Sequence, residues 1–168
     1  IIALASAYPN SRFTGFDLSL EATEDAADRA RVLGLRTVRF ERLDLTKFDR
    51  PAAFDLVTAF DVVHDQAEPA RVLENVRAAL RPDGVFLMQD IRTSSHLENN
   101  VDHPLGAYLY TISYTHCMTV SRSNDGAGLG TCWGSELAEE MLSAGGFLDV
   151  SVTQLEHDIM YVFYVART

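Results

Sequence analysis

The sequence is poor in lysine. Its 168 residues contain a single lysine, Lys47, and its arginines are scattered, while the formal net charge is −10. Proteins that bind nucleic acids need clustered lysine and arginine side chains, because these displace the counterions of the phosphate groups. We therefore expect neither DNA nor RNA nor an anionic membrane surface to be a partner of this segment.

Long apolar runs and paired cysteines are also missing. No apolar stretch reaches the roughly 18 residues that a membrane-spanning helix needs, and the first residues lack the basic region of a signal peptide. The two cysteines, Cys117 and Cys132, show no close spacing. This pattern fits a protein of the reducing cytoplasm. The chain does not begin with methionine, so we expect the N-terminus of the native protein to lie upstream.

Strand and helix patterns alternate along the chain. Strands are expected at 12–17, 37–43, 54–60, 85–91, 150–155 and 159–165, and helices at 21–33, from Pro69 to Leu80 and at 135–144. The strand at 54–60 is expected to be buried, 81–84 to form a turn, and the last two strands to be antiparallel neighbours. This alternation predicts an α/β fold with a mainly parallel sheet. The mixed segment 93–134 is expected to form a cap of loops and short helices over a ligand site.

Acidic residues follow the first two predicted strands. In open α/β sheets, ligands bind at the carboxyl ends of the strands, where a carboxylate accepts hydrogen bonds from ribose hydroxyls. Asp17 ends the first strand, and Asp44 with Leu45 follows the second. One aspartate in such a place is usually a helix cap, but two at successive strand ends indicate an adenosine lying across them. Adenosine is common to S-adenosylmethionine and NAD, so the pair alone does not separate these cofactors.

A short-chain NAD(P)-dependent dehydrogenase is one alternative. Such an enzyme needs a catalytic tyrosine four residues before a lysine. The sole lysine, Lys47, has Leu43 at that position. The sequence therefore disfavours hydride transfer of this type.

Several segments resemble known methyltransferases. The motifs FTGFD at 13–17, LDL at 43–45, FDLV at 54–57 and LRPDGVFL at 80–87 resemble those of class I S-adenosylmethionine-dependent methyltransferases. A more specific set comprises DVVHDQ at 61–66, HCMTVS at 116–121, GLGTCWG at 128–134 and HD at 157–158. This set resembles a bacterial methyltransferase family whose members often carry an N-terminal winged-helix-like domain.

The resemblance implies a Rossmann-like fold with strand order 3-2-1-4-5-7-6. It implies S-adenosylmethionine as cofactor and S-adenosylhomocysteine (SAH) as product, with Asp17, Leu18, Asp44, Leu45 and Phe60 in contact with the cofactor. Residues 1–8 resemble the end of the first helix, and the first strand and its Gly-rich loop are absent. We therefore expect residues 1–168 to be the C-terminal part of a single truncated catalytic domain. The sheet should then be interrupted between the strands ending at Asp17 and Phe60, and the missing N-terminal domain should mediate a homodimer.

Histidines are the candidates for a general base. If the acceptor is a small molecule with a hydroxyl or thiol, a base must remove its proton, and histidine suits neutral pH. His116, in the cap, is the first choice, and His64, just after the third strand, is the second, with Asp65 placed to orient a histidine. Tyr108 and Trp133 are expected to line the acceptor pocket. The alternative roles are capping of the next helix for His64 and packing in the cap for His116.

A metal site is not expected from the sequence. Several potential ligands fall in one region, namely His96, His103, His116, Cys117 and Cys132, but no pair has the spacing of a zinc site. Cys117 as a nucleophile is disfavoured because, on a strand, His116 would point away from it. The remaining alternative to an enzyme is a non-catalytic module for ligand sensing or dimerisation that keeps a methyltransferase fold.

Overall fold

The computed structural model describes residues 1–168, and the chain divides into two compact units, residues 1–48 and residues 49–168. Each unit has its own sheet, with two strands in the first and four in the second. None of the helices combines the length and the apolar composition needed to cross a membrane.

The first unit is a βαβ unit preceded by a short helix. Its elements are α1 (Ile2–Ala7), β1 (Phe13–Asp17), α2 (Leu20–Val32) and β2 (Val38–Arg42), and β1 pairs with β2 in parallel. The side chain of Ser19 caps α2 by accepting a hydrogen bond from the Ala22 backbone N–H. Gly34 follows the helix with a φ of 69°, which favours a residue without a Cβ. The predicted strands and helix are confirmed, each bound within one residue.

The second unit contains the remaining elements. They are β3 (Phe54–Phe60), α3 (Pro69–Ala79), β4 (Leu80–Ile91), α4 (Gly106–Ile112), α5 (Met118–Ser123), α6 (Ser135–Ala144), β5 (Asp149–Thr153) and β6 (Tyr161–Arg167). The strand order is β3-β4-β6-β5, with β3 parallel to β4 and β6 antiparallel to both of its neighbours. This confirms the predicted α/β fold. The strands β3, β4, β6 and β5 take the places of strands 4, 5, 7 and 6 in the expected order 3-2-1-4-5-7-6.

The core of the second unit lies between its sheet and two helices. Alternate residues of β4 and β6 are buried, namely Phe86, Met88, Val162 and Tyr164. The helices α3 and α6 cover them with the apolar side chains of Val72, Leu73, Val76, Ala138 and Leu142. The rings of Phe86 and Phe147 stack with centroids 5.6 Å apart. Each large apolar side chain buried in this way stabilises the unit by about 1.5–3 kcal/mol.

Some predicted boundaries were wrong: β5 and β6 differ by up to two residues from the predicted 150–155 and 159–165, and the boundary between α3 and β4 differs more. Leu80, expected on the apolar face of the helix that begins at Pro69, is the first residue of β4, and α3 ends at Ala79. The predicted turn at 81–84 is a bulge inside that strand, because Phe54 pairs with Leu80 whereas Leu56 pairs with Val85. Leu80 is apolar and buried in either place, so its hydropathy does not distinguish helix from strand.

The prediction of a buried strand at 54–60 was also wrong in part. The strand has the predicted bounds, but the side chains of Leu56 and Phe60 are 50% and 47% exposed. The reason is that β3 pairs with β4 alone and is the edge of its sheet. In the first unit β1 likewise pairs with β2 alone, which agrees with the expected interruption of the sheet.

The segment 93–134 is more helical than expected. A 3₁₀ turn at Leu97–Asn100 precedes α4, and a π-helical turn at Ser113–Cys117 joins α4 to α5 without a break. The side chain of Asn100 fixes the entry to this segment, since it accepts from the Ser94 backbone N–H and donates to the Ser94 carbonyl, each at 2.8 Å. His116 and Cys117 therefore lie on a helical turn and not on a strand, and the strand-based argument against a reactive Cys117 fails.

Candidate functional site

The two predicted cofactor carboxylates share one edge of the first unit. Asp17 ends β1, Asp44 follows β2, and the Leu43 backbone N–H donates to the Asp17 carbonyl at 2.8 Å. Asp17 Oδ1 accepts a hydrogen bond from the Ser19 N–H at 2.8 Å, and Asp44 Oδ1 accepts from the backbone and hydroxyl of Thr46 at 3.0 and 2.7 Å. Each carboxylate thus closes a local turn at the carboxyl end of its strand.

The surroundings of these carboxylates fit hydrogen-bond donors. The hydrogen bonds from the hydroxyl and the backbone of Thr46 lower the pKa of Asp44, and the Lys47 ammonium, 3.3 Å from Oδ2, acts in the same direction. Asp44 is therefore ionised at neutral pH and acts only as an acceptor. Leu18 is 62% exposed beside Asp17, and Leu45 is half-buried. The edge combines acceptor oxygens with apolar surface, as a ribose or an adenine requires.

In the second unit, His64 is bound to a carboxylate at the end of β4. It lies in the 3₁₀ turn Val63–Asp65, which follows β3, and its Nδ1 atom is 2.8 Å from Asp90 Oδ1. Both side chains are buried, with 2% and 1% exposed. Asp90 Oδ1 also accepts from the Ile91 backbone N–H at 2.8 Å. The pair fixes the imidazole ring against the sheet.

Further carboxylates surround His64. Asp61 Oδ1 lies 3.9 Å from Nδ1, and Asp65 Oδ1 lies 3.4 Å from Nε2. Burial disfavours the charged imidazolium, but the hydrogen bond to Asp90 and the charges of all three carboxylates outweigh burial and raise the pKa of His64. Burial is the main cause that raises the pKa of Asp61. Asp61 also adopts a φ of 58°, a left-handed conformation that is uncommon for residues other than glycine.

This geometry changes the role expected for His64. Both ring nitrogens face carboxylates and the ring is buried, so neither nitrogen is directed at an incoming acceptor. Asp90, and not Asp65, is the hydrogen-bond partner of Nδ1. Asp90 was not predicted as a site residue because it stands in an apolar strand, but a polar pair, Gln89 and Asp90, at the carboxyl end of that strand was an available signal.

The other predicted residues of the second unit are spread over its surface and core. His116 and Tyr108 are exposed on the helical segment, Phe60 is partly exposed at the end of β3, and Trp133 is buried. The Trp133 carbonyl accepts a hydrogen bond from Ser95 Oγ at 2.8 Å. No hydrogen bond, ion pair or ring contact joins His116 to Tyr108 or Trp133.

Two grooves lie away from these residues. One of about 400 Å³ lies beside α2 and β2 in the first unit, and one of about 460 Å³ lies between the start of α3 and the loop that contains Ala127 and Leu129. Neither groove is lined by a predicted site residue. Because parallel strands direct their carboxyl ends to one edge, we place the candidate site at Asp17 and Asp44 rather than in a groove.

Comparison with known proteins identifies the family. A model of the family described as "Methyltransferase domain" matches residues 1–146, and the chain belongs to this family. A comparison with curated protein sequences gave no match.

Solved structures share the fold. PigF with SAH has a TM-score of 0.75 and 18% identity over 99% of this chain and 46% of its own. The methyltransferase CalH with SAH has a TM-score of 0.67 and 21% identity over 94% of this chain and 43% of its own. The S-adenosylmethionine-dependent methyltransferase SibL has a TM-score of 0.68 and 24% identity over 99% of this chain and 46% of its own. The chain therefore has the class I methyltransferase fold and spans about half the length of these structures.

Proposed function

We propose that the chain carries out S-adenosylmethionine-dependent methyl transfer to a small-molecule acceptor. The observation that carries this proposal is the placement of Asp17 and Asp44 at the carboxyl ends of two paired parallel strands, in a chain that belongs to the methyltransferase-domain family. The SAH in the structures of PigF and CalH, which share the fold, supports this choice of cofactor over NAD.

The first unit holds the adenosine part of the cofactor in this proposal. Asp17 accepts hydrogen bonds from the ribose hydroxyls, and Asp44 accepts one from the adenine amino group. Leu18 and Leu45 supply apolar contacts to the rings. In the second unit, Phe60 is proposed as a further apolar contact of the cofactor, and its exposed side chain is available for one.

Methyl transfer requires little covalent chemistry from the protein. The sulfonium activates the methyl group, so positioning of the acceptor in line with the breaking C–S bond supplies most of the catalysis. His116 is the proposed base for an acceptor that must lose a proton, because its side chain is exposed. Tyr108 and Trp133 are proposed contacts of the acceptor, and His64 acts as a positioning residue through its bond to Asp90.

Calorimetry with SAH tests the proposal on the chain itself. We expect one molecule of SAH to bind, and we expect the binding to be weakened by loss of Asp17 and not by loss of an exposed aspartate on α2. NADH that binds while SAH does not would refute the assignment of the cofactor. SAH binding without turnover of S-adenosylmethionine on a panel of hydroxylated, thiol and amine acceptors would favour the non-catalytic sensing module instead.

Three finer features belong to the same proposal. The resemblance of the motifs at 61–66, 116–121 and 128–134 supports a relationship to the methyltransferases with a winged-helix-like N-terminal domain. We propose that such a domain, in a longer chain, mediates a homodimer, which sedimentation of that longer chain tests. The reducing cytoplasm is the proposed location.

A further inference from the structure

Negative charge is concentrated around the imidazole of His64. Three carboxylates, those of Asp61, Asp65 and Asp90, lie within 4.0 Å of its ring nitrogens, at 3.9, 3.4 and 2.8 Å. No lysine or arginine forms an ion pair with any of the three. Even a protonated His64 supplies only one positive charge. Asp90 is buried and paired with His64, whereas the side chains of Asp61 and Asp65 are 46% and 33% exposed, so the cluster concentrates negative charge where it would attract a cation.

Two atoms of the cluster face each other without a hydrogen bond. The Oδ1 atom of Asp65 is inaccessible to water and has no hydrogen-bond partner, and it lies 3.4 Å from His64 Nε2. Leaving a buried polar atom without a partner costs about 1–3 kcal/mol. Two ligands that each lie about 2.0–2.1 Å from a tetrahedral zinc ion are themselves about 3.4 Å apart. The separation of these atoms therefore suits two ligands of one ion.

A third ligand comes from the helical segment. Cys117 ends the π-helical turn Ser113–Cys117, and one ligand atom each of His64, Asp65 and Cys117 lies within 4.8 Å of the others. The Cys117 side chain is buried, and its Sγ atom accepts a hydrogen bond from the Thr131 hydroxyl at 3.1 Å, which a thiolate also accepts. A divalent cation bound there would favour the thiolate. π-Helical turns inside helices also occur frequently at functional sites.

The hydrogen bond to Asp90 completes the arrangement. A histidine that binds a metal through one ring nitrogen usually donates the other N–H to a carboxylate, which fixes the tautomer and the direction of the ring. His64 Nδ1 stands in this relation to the buried Asp90 Oδ1 at 2.8 Å. Nε2, which lies 3.4 Å from Asp65 Oδ1, then carries the free lone pair.

We propose that His64 Nε2, Asp65 Oδ1 and Cys117 Sγ form a binding site for a divalent metal ion of the zinc class. Nitrogen, carboxylate oxygen and thiolate sulfur are the donor atoms that zinc accepts in proteins. The ion would join the turn after β3 to the π-helical turn of the cap. Three protein ligands leave a fourth coordination position for a water molecule. The proposal does not depend on methyl transfer.

Cobalt(II) is the probe for this site, because it occupies zinc sites and absorbs strongly when a thiolate binds it. The chain, freed of metal with a chelator, is titrated with Co²⁺ and, separately, dialysed against Zn²⁺. We expect one ion per chain and a cobalt–thiolate absorption band. Asp90→Asn should weaken zinc binding about 10–100-fold, the usual effect of losing such a supporting hydrogen bond.

Variants identify the ligands. Cys117→Ser should abolish the thiolate band, and Asp65→Asn should weaken binding, while Cys132→Ser, which changes the other cysteine of the cap, should leave both unchanged. Circular dichroism shows whether each variant is folded, and Asp65→Asn serves if Cys117→Ser does not fold. The proposal is overturned if the unmodified chain binds no ion, if the band persists in Cys117→Ser, or if it is lost in Cys132→Ser.

Discussion

The imidazole of His64 and the carboxylate of Asp90 form a buried pair that joins the carboxyl ends of two neighbouring strands. His64 belongs to the turn that follows β3, Asp90 stands near the end of β4, and their side-chain atoms are 2.8 Å apart. The carboxyl ends of parallel strands are the usual place for ligands in this class of fold. The pair therefore holds the carboxyl ends of β3 and β4 together at the edge of the sheet where ligands usually bind.

Removal of Asp90 should destabilise the second unit strongly. Breaking a buried ion pair by deleting one partner typically costs about 3–5 kcal/mol, because the other group is left uncompensated. We expect Asp90→Ala to lower the free energy of unfolding, measured with urea, by about that amount. Asp90→Asn keeps a hydrogen-bond acceptor and should cost less.

Asp83→Ala is the matched control for this prediction. Asp83 is an exposed carboxylate in the bulge of the same strand, so its loss should change the free energy of unfolding by less than about 0.5 kcal/mol. If Asp90→Ala and Asp83→Ala unfold at the same urea concentration, the pair contributes nothing to stability.

The path of the main chain could largely be predicted from the sequence. Period-two alternation, Pro69 at a helix start and glycines after α2 and α6 are local signals, and local sterics determine these features. The burial of β3 could not be predicted, because it depends on which strands lie beside it. The same holds for Leu80, whose apolar side chain is compatible with a helix and with a strand.

The candidate site could be predicted less well. Asp17 ends β1 and Asp44 follows β2, and the parallel pairing of these strands brings both residues to one edge of the sheet. Their positions in the sequence were therefore enough to predict this part of the site. Asp90 and Cys117 lie near His64 because of tertiary packing, and their spacing in the sequence does not predict this proximity. The polar residue Asp90 inside an apolar strand was the one local sign of this cluster.

Gly134 is expected to be sensitive to substitution. It has a φ of 83°, and a Cβ added there would meet the backbone of Ser94 and Ser95. With a ψ of 159°, Gly134 adopts a conformation that is essentially restricted to glycine and that costs other residues about 1–3 kcal/mol, and overpacking adds about 1–3 kcal/mol. Gly134→Ala should thus lower the free energy of unfolding by about 2–6 kcal/mol in urea titrations. Gly34 has a φ of 69°, but a Cβ added there would meet no atom within 4 Å. If Gly34→Ala lowers the free energy of unfolding as much as Gly134→Ala does, overpacking contributes nothing at Gly134.

Glu136 should make stability dependent on pH in the acid range. Its carboxylate accepts from the Ser95 N–H and the Ser94 hydroxyl, each at 2.7 Å. The backbone hydrogen bond from Ser95 is the largest cause that lowers the pKa of Glu136, to about 2 from an ordinary value of 4.5. A carboxyl group whose pKa is lowered by folding stabilises the folded state at every pH above its pKa in the unfolded chain. This stabilisation is lost as the pH falls towards the pKa of the group in the folded chain.

The matched variant is Glu136→Gln, which cannot ionise. The difference in unfolding temperature between the two proteins should be constant above about pH 5 and should shrink steadily as the pH falls from about 4.5 towards 2. A difference that stays constant down to pH 2, or one that grows, would show that the charge of Glu136 is not what stabilises the contact.

Asp17 should determine the affinity for the cofactor. A lost hydrogen bond to a charged group costs about 1.5–3 kcal/mol, which corresponds to roughly a 10- to 150-fold weaker binding of SAH. Asp44→Asn should have a smaller effect, because Thr46 and Lys47 already engage its oxygens. Asp25→Ala, on the exposed side of α2, is the control for the change in charge. Equal SAH affinities of Asp17→Ala and Asp25→Ala in calorimetry would remove Asp17 from the site.

His116 is the proposed base, and its substitution separates catalysis from binding. A positioned base typically contributes about 10²–10⁴-fold to the rate, so His116→Ala should lower kcat of a demonstrated methyl transfer by that order. SAH affinity should be unchanged, since the proposed contacts of the adenosine lie in the first unit. His157→Ala, which removes another exposed histidine, should leave kcat within about twofold of the unmodified chain. A lowered unfolding temperature or lost SAH binding in His116→Ala would assign His116 to the packing of the cap. An unchanged kcat would mean that the acceptor reaches the site already deprotonated and that positioning alone accounts for the rate.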